Sequence, residues 1–141
     1  MGLMQRQLTD FTRVIVPMAC TGDHWALAEI NFANCSICWF DADKSRDAYE
    51  EDKRSAMTYL ERYIRDECDS RKLNTKFAKK IWVRDDAAKK FGIPQQDEPA
   101  SALYMLQYAH KLASGNACSF TETTEAVRVA WVISLVKGSV A

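Results

Sequence analysis

His24 and Asp41 are the two side chains best placed to move a proton together. His24 opens the stretch HWALAEINF, in which Ala26, Ala28, Ile30 and Phe32 share one face, as in a half-buried strand. Asp41 closes SICWFD, the returning strand of a hairpin over Ser36 to Asp41, with Ala33-Asn34 as its tight turn. A two-residue turn there sets Asp41 opposite Ala26. His24 lies two residues from Ala26 on the same face, so His24 and Asp41 become diagonal cross-strand neighbours, about 7–8 Å apart at the backbone. An imidazole and a carboxylate span that gap. A carboxylate bonded to one ring nitrogen fixes the tautomer and supports the imidazolium, which is the base-and-orienter half of a nucleophilic triad. The pairing depends on register. A three-residue turn would send the two side chains to opposite faces and leave His24 a surface histidine at a strand end.

The third member of such a site is a Cys or Ser near the imidazole. A thiol reacts best at a helix N-terminus, where the dipole lowers its pKa. The helix beginning near Ala100 offers that place at Ser101 or Ala102, and no cysteine stands there. Cys35-Ser36-Ile37-Cys38 is a CxxC, but zinc needs about four ligands. No second CxxC or HxxxH accompanies it, and positions 35 and 38 of one strand point to opposite faces. Cys118 follows the helix without a base near it in sequence. His110, in mid-helix, reads as a core-edge or surface residue. Trp39, Trp82 and Trp131 read as core, and the charged run from Arg46 to Arg54 as a solvated helix face. No metal and no cofactor is expected.

The surrounding elements must position these groups. Arg13-Val14-Ile15-Val16-Pro17 predicts a short buried strand stopped by Pro17, and Thr21-Gly22-Asp23 a turn into the His24 strand. From Asp43 to Lys72, residues Tyr49, Lys53, Ala56, Met57, Leu60, Ile64 and Cys68 follow helical spacing. That predicts an amphipathic helix capped by Asp43 or Ser45. Lys79 to Arg84 predicts a strand, and Ala87 to Pro99 a polar loop. Ala100 to Ser114 is apolar nearly all round (Ala102, Leu103, Met105, Leu106, Tyr108, Ala109, Leu112), which predicts a buried core helix stopped by Gly115. Ser119-Phe120-Thr121-Glu122 reads as the capping box of a last helix reaching Lys137 and closed by Gly138. The fold class is therefore α+β, an antiparallel sheet packed against helices.

Composition narrows the function. The 141 residues are about one domain's worth, and residues 1–141 are read as a single domain, which the family resemblance given below implies to be a catalytic domain, minimal or N-terminally truncated. Nineteen basic and 19 acidic side chains cancel. This argues against a sequence-independent nucleic-acid binder and against a polybasic membrane-surface protein. No apolar run approaches the roughly 20 residues that span a bilayer, and no signal peptide is visible. Five cysteines, an odd number, fit a reducing compartment with mostly inert buried thiols: cytoplasm or nucleus, including that of a host cell into which such a chain is delivered.

Four motifs stand in order: Val14-Ile15-Val16-Pro17, His24-Trp25, Phe40-Asp41 and Ile93-Pro94-Gln95-Gln96. With the 17-residue step from His24 to Asp41 and the buried helix beyond, this pattern resembles the ubiquitin-like-protein-specific cysteine proteases. These include the SUMO and NEDD8 proteases, with the adenoviral protease as a distant relative. The resemblance implies a papain-like or adenain-like core with the nucleophile at the N-terminus of the buried helix. It implies His24 as general base, Asp41 as its orienter and Gln96 as an oxyanion donor, a contribution of about 3–4 kcal/mol where such donors have been removed elsewhere. Trp25 would wall the slot that admits a Gly-Gly tail. Ala102, six residues after Gln96, takes the nucleophile position, where a cysteine is expected. The implied activity is peptidase or isopeptidase cleavage at the C-terminal glycine of a ubiquitin-like protein (SUMO, NEDD8 or ubiquitin) or its conjugates. The alanine reads as a cysteine-to-alanine inactivation, with two alternatives: a natural pseudoprotease that binds without cutting, and an acyltransferase with the same triad geometry. The chain departs from the family at Glu98-Pro99, Ser101 and Leu103, where the family carries Asn-Gly, Asp and Gly. The family's N-terminal portion, with a second tryptophan over the tail slot, has no counterpart here.

Overall fold

Strict alternation in two neighbouring strands gives this protein two apolar faces on one sheet. The computed structural model describes residues 12–41, 46–70, 77, 81–91 and 101–115. Strands β1 (Arg13–Cys20), β2 (His24–Asn31) and β3 (Ser36–Phe40) are followed by helix α1 (Glu50–Ser70), strand β4 (Val83–Asp86) and helices α2 (Ala87–Phe91) and α3 (Ser101–Ala113). The sheet order is β1-β2-β3-β4. β1, β2 and β3 run antiparallel, and β4 pairs parallel to β3. The sheet is thus mixed rather than wholly antiparallel. A chain that crosses from β3 to β4 through a 21-residue helix returns in the same direction, whereas a short hairpin reverses it.

Ala26, Ala28, Ile30, Ile37 and Trp39 face α1 and join its stripe of Met57, Leu60, Ile64 and Cys68. Leu27, Cys38 and Phe40 face the other way and join Ala87, Ala88, Tyr104, Met105, Tyr108 and Leu112. Each large apolar side chain so buried contributes about 1.5–3 kcal/mol. α1 and α3 are therefore fixed by separate cores on opposite faces of the sheet. Cys35 and Cys38 fall in different cores, as their spacing predicts.

Several boundaries differ from the sequence reading. β1 runs through Pro17 to Cys20, and none of its residues is buried. It is an edge strand, where the missing N–H of an exposed proline costs no ladder bond. The β2–β3 connection spans four residues rather than two, yet the register is the expected one, with Leu27 facing Phe40 and Asn31 facing Ser36. Asn31 Oδ1 accepts hydrogen bonds from the Ala33 and Asn34 amides, at 2.9 and 3.2 Å, and tightens the turn without shifting the strands.

β4 begins at Val83, not Lys79. Trp82 is buried, its indole N–H donating to the Phe77 carbonyl at 3.3 Å, so ladder pairing starts just after it. The expected polar loop opens with α2, because Asp86 Oδ1 accepts from the Ala88 amide at 2.9 Å and caps that turn. α3 buries one face only: Tyr104, Met105, Tyr108 and Leu112 are inside, while Leu106 is 47% exposed. Gly115 ends it at φ 72°, in the left-handed region that favours glycine. The caps proposed at Asp43 and Ser45, Trp131, Cys118 and the last helix from Ser119 lie outside the described residues.

Candidate active site

The site grows from the end of the sheet where β2 begins. A three-residue turn, Thr21–Asp23, carries β1 into β2, with Gly22 and Asp23 both at positive φ. Thr21 Oγ1 donates to Asp52 Oδ1 at 3.1 Å, tying this turn to the first turn of α1. His24 follows and is 3% exposed, so it is no surface histidine. Its Nε2 lies 2.6 Å from Asp41 Oδ2, and Asp41 is 4% exposed. That is the pair expected from the hairpin register. A short bond between two desolvated groups fixes the imidazole so that Nδ1 is the nitrogen not engaged by Asp41.

A second contact to the ring was not foreseen. Tyr49, at the end of a short 3-10 turn (Arg46–Tyr49) that leads into α1, stacks on His24 with ring centroids 3.9 Å apart and planes 11° apart. In the sequence Tyr49 reads only as the first member of the helical apolar stripe. Its one distinguishing signal is an aromatic ring at the entry to that helix.

Behind Asp41 lies a small polar cavity of about 100 Å³, bounded by Trp39, Asp47, Glu50, Lys53 and Asp86. Lys53 belongs to the run read as a solvated face, but its side chain is only 14% exposed. Its Nζ donates to both Glu50 Oε1 and Asp86 Oδ2 at 2.9 Å. Burial pulls its pKa down, and the bonds to Asp86 and Glu50 more than offset this, so its ammonium is held above the ordinary lysine value. The bridge joins the first turn of α1 to β4 and so steadies the frame around Asp41. A larger charged cleft of about 520 Å³, between α1 and β4, holds neither His24 nor Ala102 in its lining.

Cys20 faces His24 directly across the β1–β2 ladder. Burial first, then the charges of Asp52 and Asp41, push its thiol up to about 11. At neutral pH it is a thiol and a poor nucleophile. Cys35, Cys38 and Cys68 are buried, and the four described cysteines are thiols rather than disulfides. Among the described residues no group of three or more His, Cys, Asp or Glu side chains could hold a metal ion. No helix among them is long and apolar enough to cross a membrane.

Ala102 stands in the first turn of α3 with its side chain exposed. Leu103, directly after it, and Trp25, directly after His24, pack against the same core cluster. Gln96 lies outside the described residues. The structure thus joins His24 to Asp41, sets Trp25 and the α3 N-terminus against one core, and adds Tyr49.

The family model described as the Ulp1 protease family, C-terminal catalytic domain, matches residues 3–132. The chain belongs to the Ulp1 protease family. No protein of curated function matches it in sequence. Solved structures share its fold. One is the C-terminal Ulp1 protease domain in complex with Smt3, the yeast ortholog of SUMO, with a TM-score of 0.64, 16% identity, 84% of this chain covered and 49% of that one. The SUMO protease Ulp1 with its catalytic cysteine oxidised to a sulfonic acid gives 0.67, 17%, 90% and 53%. Its sulfinic acid form gives 0.68, 16%, 91% and 53%. At these identities the likeness is one of fold. The chain spans about half the length of these structures.

Proposed function

We propose that this chain carries the core of a thiol peptidase or isopeptidase site that acts at the C-terminal glycine of a ubiquitin-like protein, with Ala102 standing where the nucleophile belongs. The observation that carries the reading is the buried His24–Asp41 pair at 2.6 Å in a member of the Ulp1 family. In the sulfur-bearing form, a thiolate at position 102 pairs with the His24 imidazolium and attacks the glycine carbonyl carbon. Gln96 and backbone N–H groups at the start of α3 hold the oxyanion. His24 passes its proton to the leaving amine as the C–N bond breaks. Water then attacks the thioester, His24 takes the water's proton, and the thiolate leaves. Trp25 walls the channel for the Gly-Gly tail. With alanine at position 102 the chain docks such a protein and does not cut it.

Ala102→Cys tests this directly. The variant should release the tail from a ubiquitin-like precursor, and adding His24→Ala should abolish the release. A binding assay of the alanine form against SUMO, NEDD8 and ubiquitin identifies the modifier, because missing turnover lets the complex accumulate. If the cysteine variant forms no adduct with any ubiquitin-like vinyl-sulfone probe, the reading falls.

A further inference from the structure

We propose that Tyr49 is a positioning residue for His24, a clamp that fixes the plane of the imidazole and keeps water from its bond to Asp41. The inference rests on the proteolytic reading only for its catalytic consequence. One hydrogen bond cannot hold an imidazole. The Nε2 contact with Asp41 sets one direction, and by itself does not set the plane of the ring or the aim of Nδ1. A face-on neighbour fixes that plane. Tyr49 supplies it at 3.9 Å and 11°.

The clamp is itself held. The turn ending at Tyr49 runs straight into α1, whose stripe is fixed in the core by Met57, Leu60, Ile64 and Cys68. The first turn of α1 is tied to the turn before His24 through Thr21 and Asp52, and to β4 through Lys53 and Asp86. The stacked rings are therefore carried by elements fastened to each other on both sides. Among the described residues, titratable groups near the imidazole include Asp41 from the end of β3 and Cys20 across the ladder, with Asp23 in the adjoining turn and Asp52 bonded to that turn. None of these lies flat on the ring as Tyr49 does. A tyrosine face also attracts the positive charge that the imidazole takes on as a base. The hydroxyl plays no part in the stack, so phenylalanine should serve equally.

The first test uses the chain with Ala102 in place, so it needs no proteolysis. The His24 Nε2 proton should exchange slowly with solvent in the native chain and in Tyr49→Phe, and about tenfold or more faster in Tyr49→Leu, since opening then costs less. In the native chain the carbon-bound ring protons of His24 should lie upfield of their free-peptide positions. This ring-current signature needs no variant and decides the matter if Tyr49→Leu does not fold. In Ala102→Cys, Tyr49→Leu should lower kcat about tenfold with KM unchanged, and Tyr49→Phe should restore it. Equal exchange in Tyr49→Leu, or ring protons at free-peptide positions, overturns the clamp. Faster exchange in a chain whose Ala102→Cys form cleaves nothing keeps the clamp and removes the proteolytic reading.

Discussion

Removing the carboxylate at position 41 separates the geometry of this site from its chemistry. Asp41 accepts from a ring nitrogen of His24 at 2.6 Å, and both side chains are nearly sealed from solvent. Asp41→Ala leaves that ring nitrogen buried without its acceptor, which costs about 1–3 kcal/mol. Asp41→Asn keeps an oxygen at nearly the same place and loses only the charge-assisted part of the bond, roughly half its strength. Alanine should therefore destabilise the fold by about 2 kcal/mol and asparagine by about 1 kcal/mol. In a chain of this size each kcal/mol moves Tm by roughly 2–6 °C, so the two variants should melt in that order and be resolvable. A double-mutant cycle with His24→Ala isolates the pair, and the expected coupling is about 1–3 kcal/mol. The assay is urea or thermal unfolding of the chain with Ala102. In Ala102→Cys the same substitutions should lower cleavage, alanine by about 100-fold or more and asparagine by less, since asparagine orients an imidazole in papain-like triads. If the effects of His24→Ala and Asp41→Ala on stability simply add, the bond does not exist in solution and the reasoning built on it fails.

Two further outcomes follow from groups beside the pair. Lys53→Met removes the bridge between Glu50 and Asp86 and should cost about 1 kcal/mol at neutral pH. Because the folded chain holds Lys53 above its ordinary value, the native chain's advantage should be complete below about pH 10.4 and fade as pH rises through the folded value; a difference that instead shrinks between pH 7 and 9 would contradict the bridge. Cys20, with its thiol pushed up to about 11 from 9.0, should alkylate at pH 8 about 100-fold more slowly than an ordinary cysteine, as mass spectrometry of iodoacetamide-treated protein would show. A Cys20 that labels as fast as a cysteine of the unfolded chain would show that it is not shielded.

The hairpin was legible because its register is over-determined. Ala26, Ala28 and Ile30 on one strand and Ile37 and Trp39 on the other must share the α1 face, and a slip of one residue would expose them all. The loop could therefore lengthen from two residues to four without moving Asp41 away from His24. The α1 stripe was legible for the same reason, with four buried residues at helical spacing. Errors fell where pattern gives way to neighbours. Pro17 stops a central strand but not an edge, and edge position is a property of the whole sheet. β4 slid toward Asp86 because Trp82 is pinned to Phe77 before the ladder begins. Lys53 looked solvated until β4 brought Asp86 beside it. Tyr49 was invisible as a site residue because the stack depends on how a 3-10 turn aims the ring, which no period of 2 or 3.6 encodes.

The division into two cores bears on the alanine at position 102. His24 and Asp41 lie on the α1 side of the sheet, whereas α3 is held from the other side by Tyr104, Met105, Tyr108 and Leu112. The Ala102 side chain is exposed and belongs to neither core. A substitution there takes nothing from either core, so Ala102→Cys should leave the fold and the His24–Asp41 pair intact. The buried pair has the opposite economy. A desolvated imidazole and carboxylate stabilise a fold little, and apolar residues of the same volume would serve it as well or better. Tyr49, Thr21, Asp52 and Lys53 are nonetheless arranged around that pair. Keeping a costly polar couple sealed and clamped is what a reaction at that end of the sheet requires and what stability alone does not.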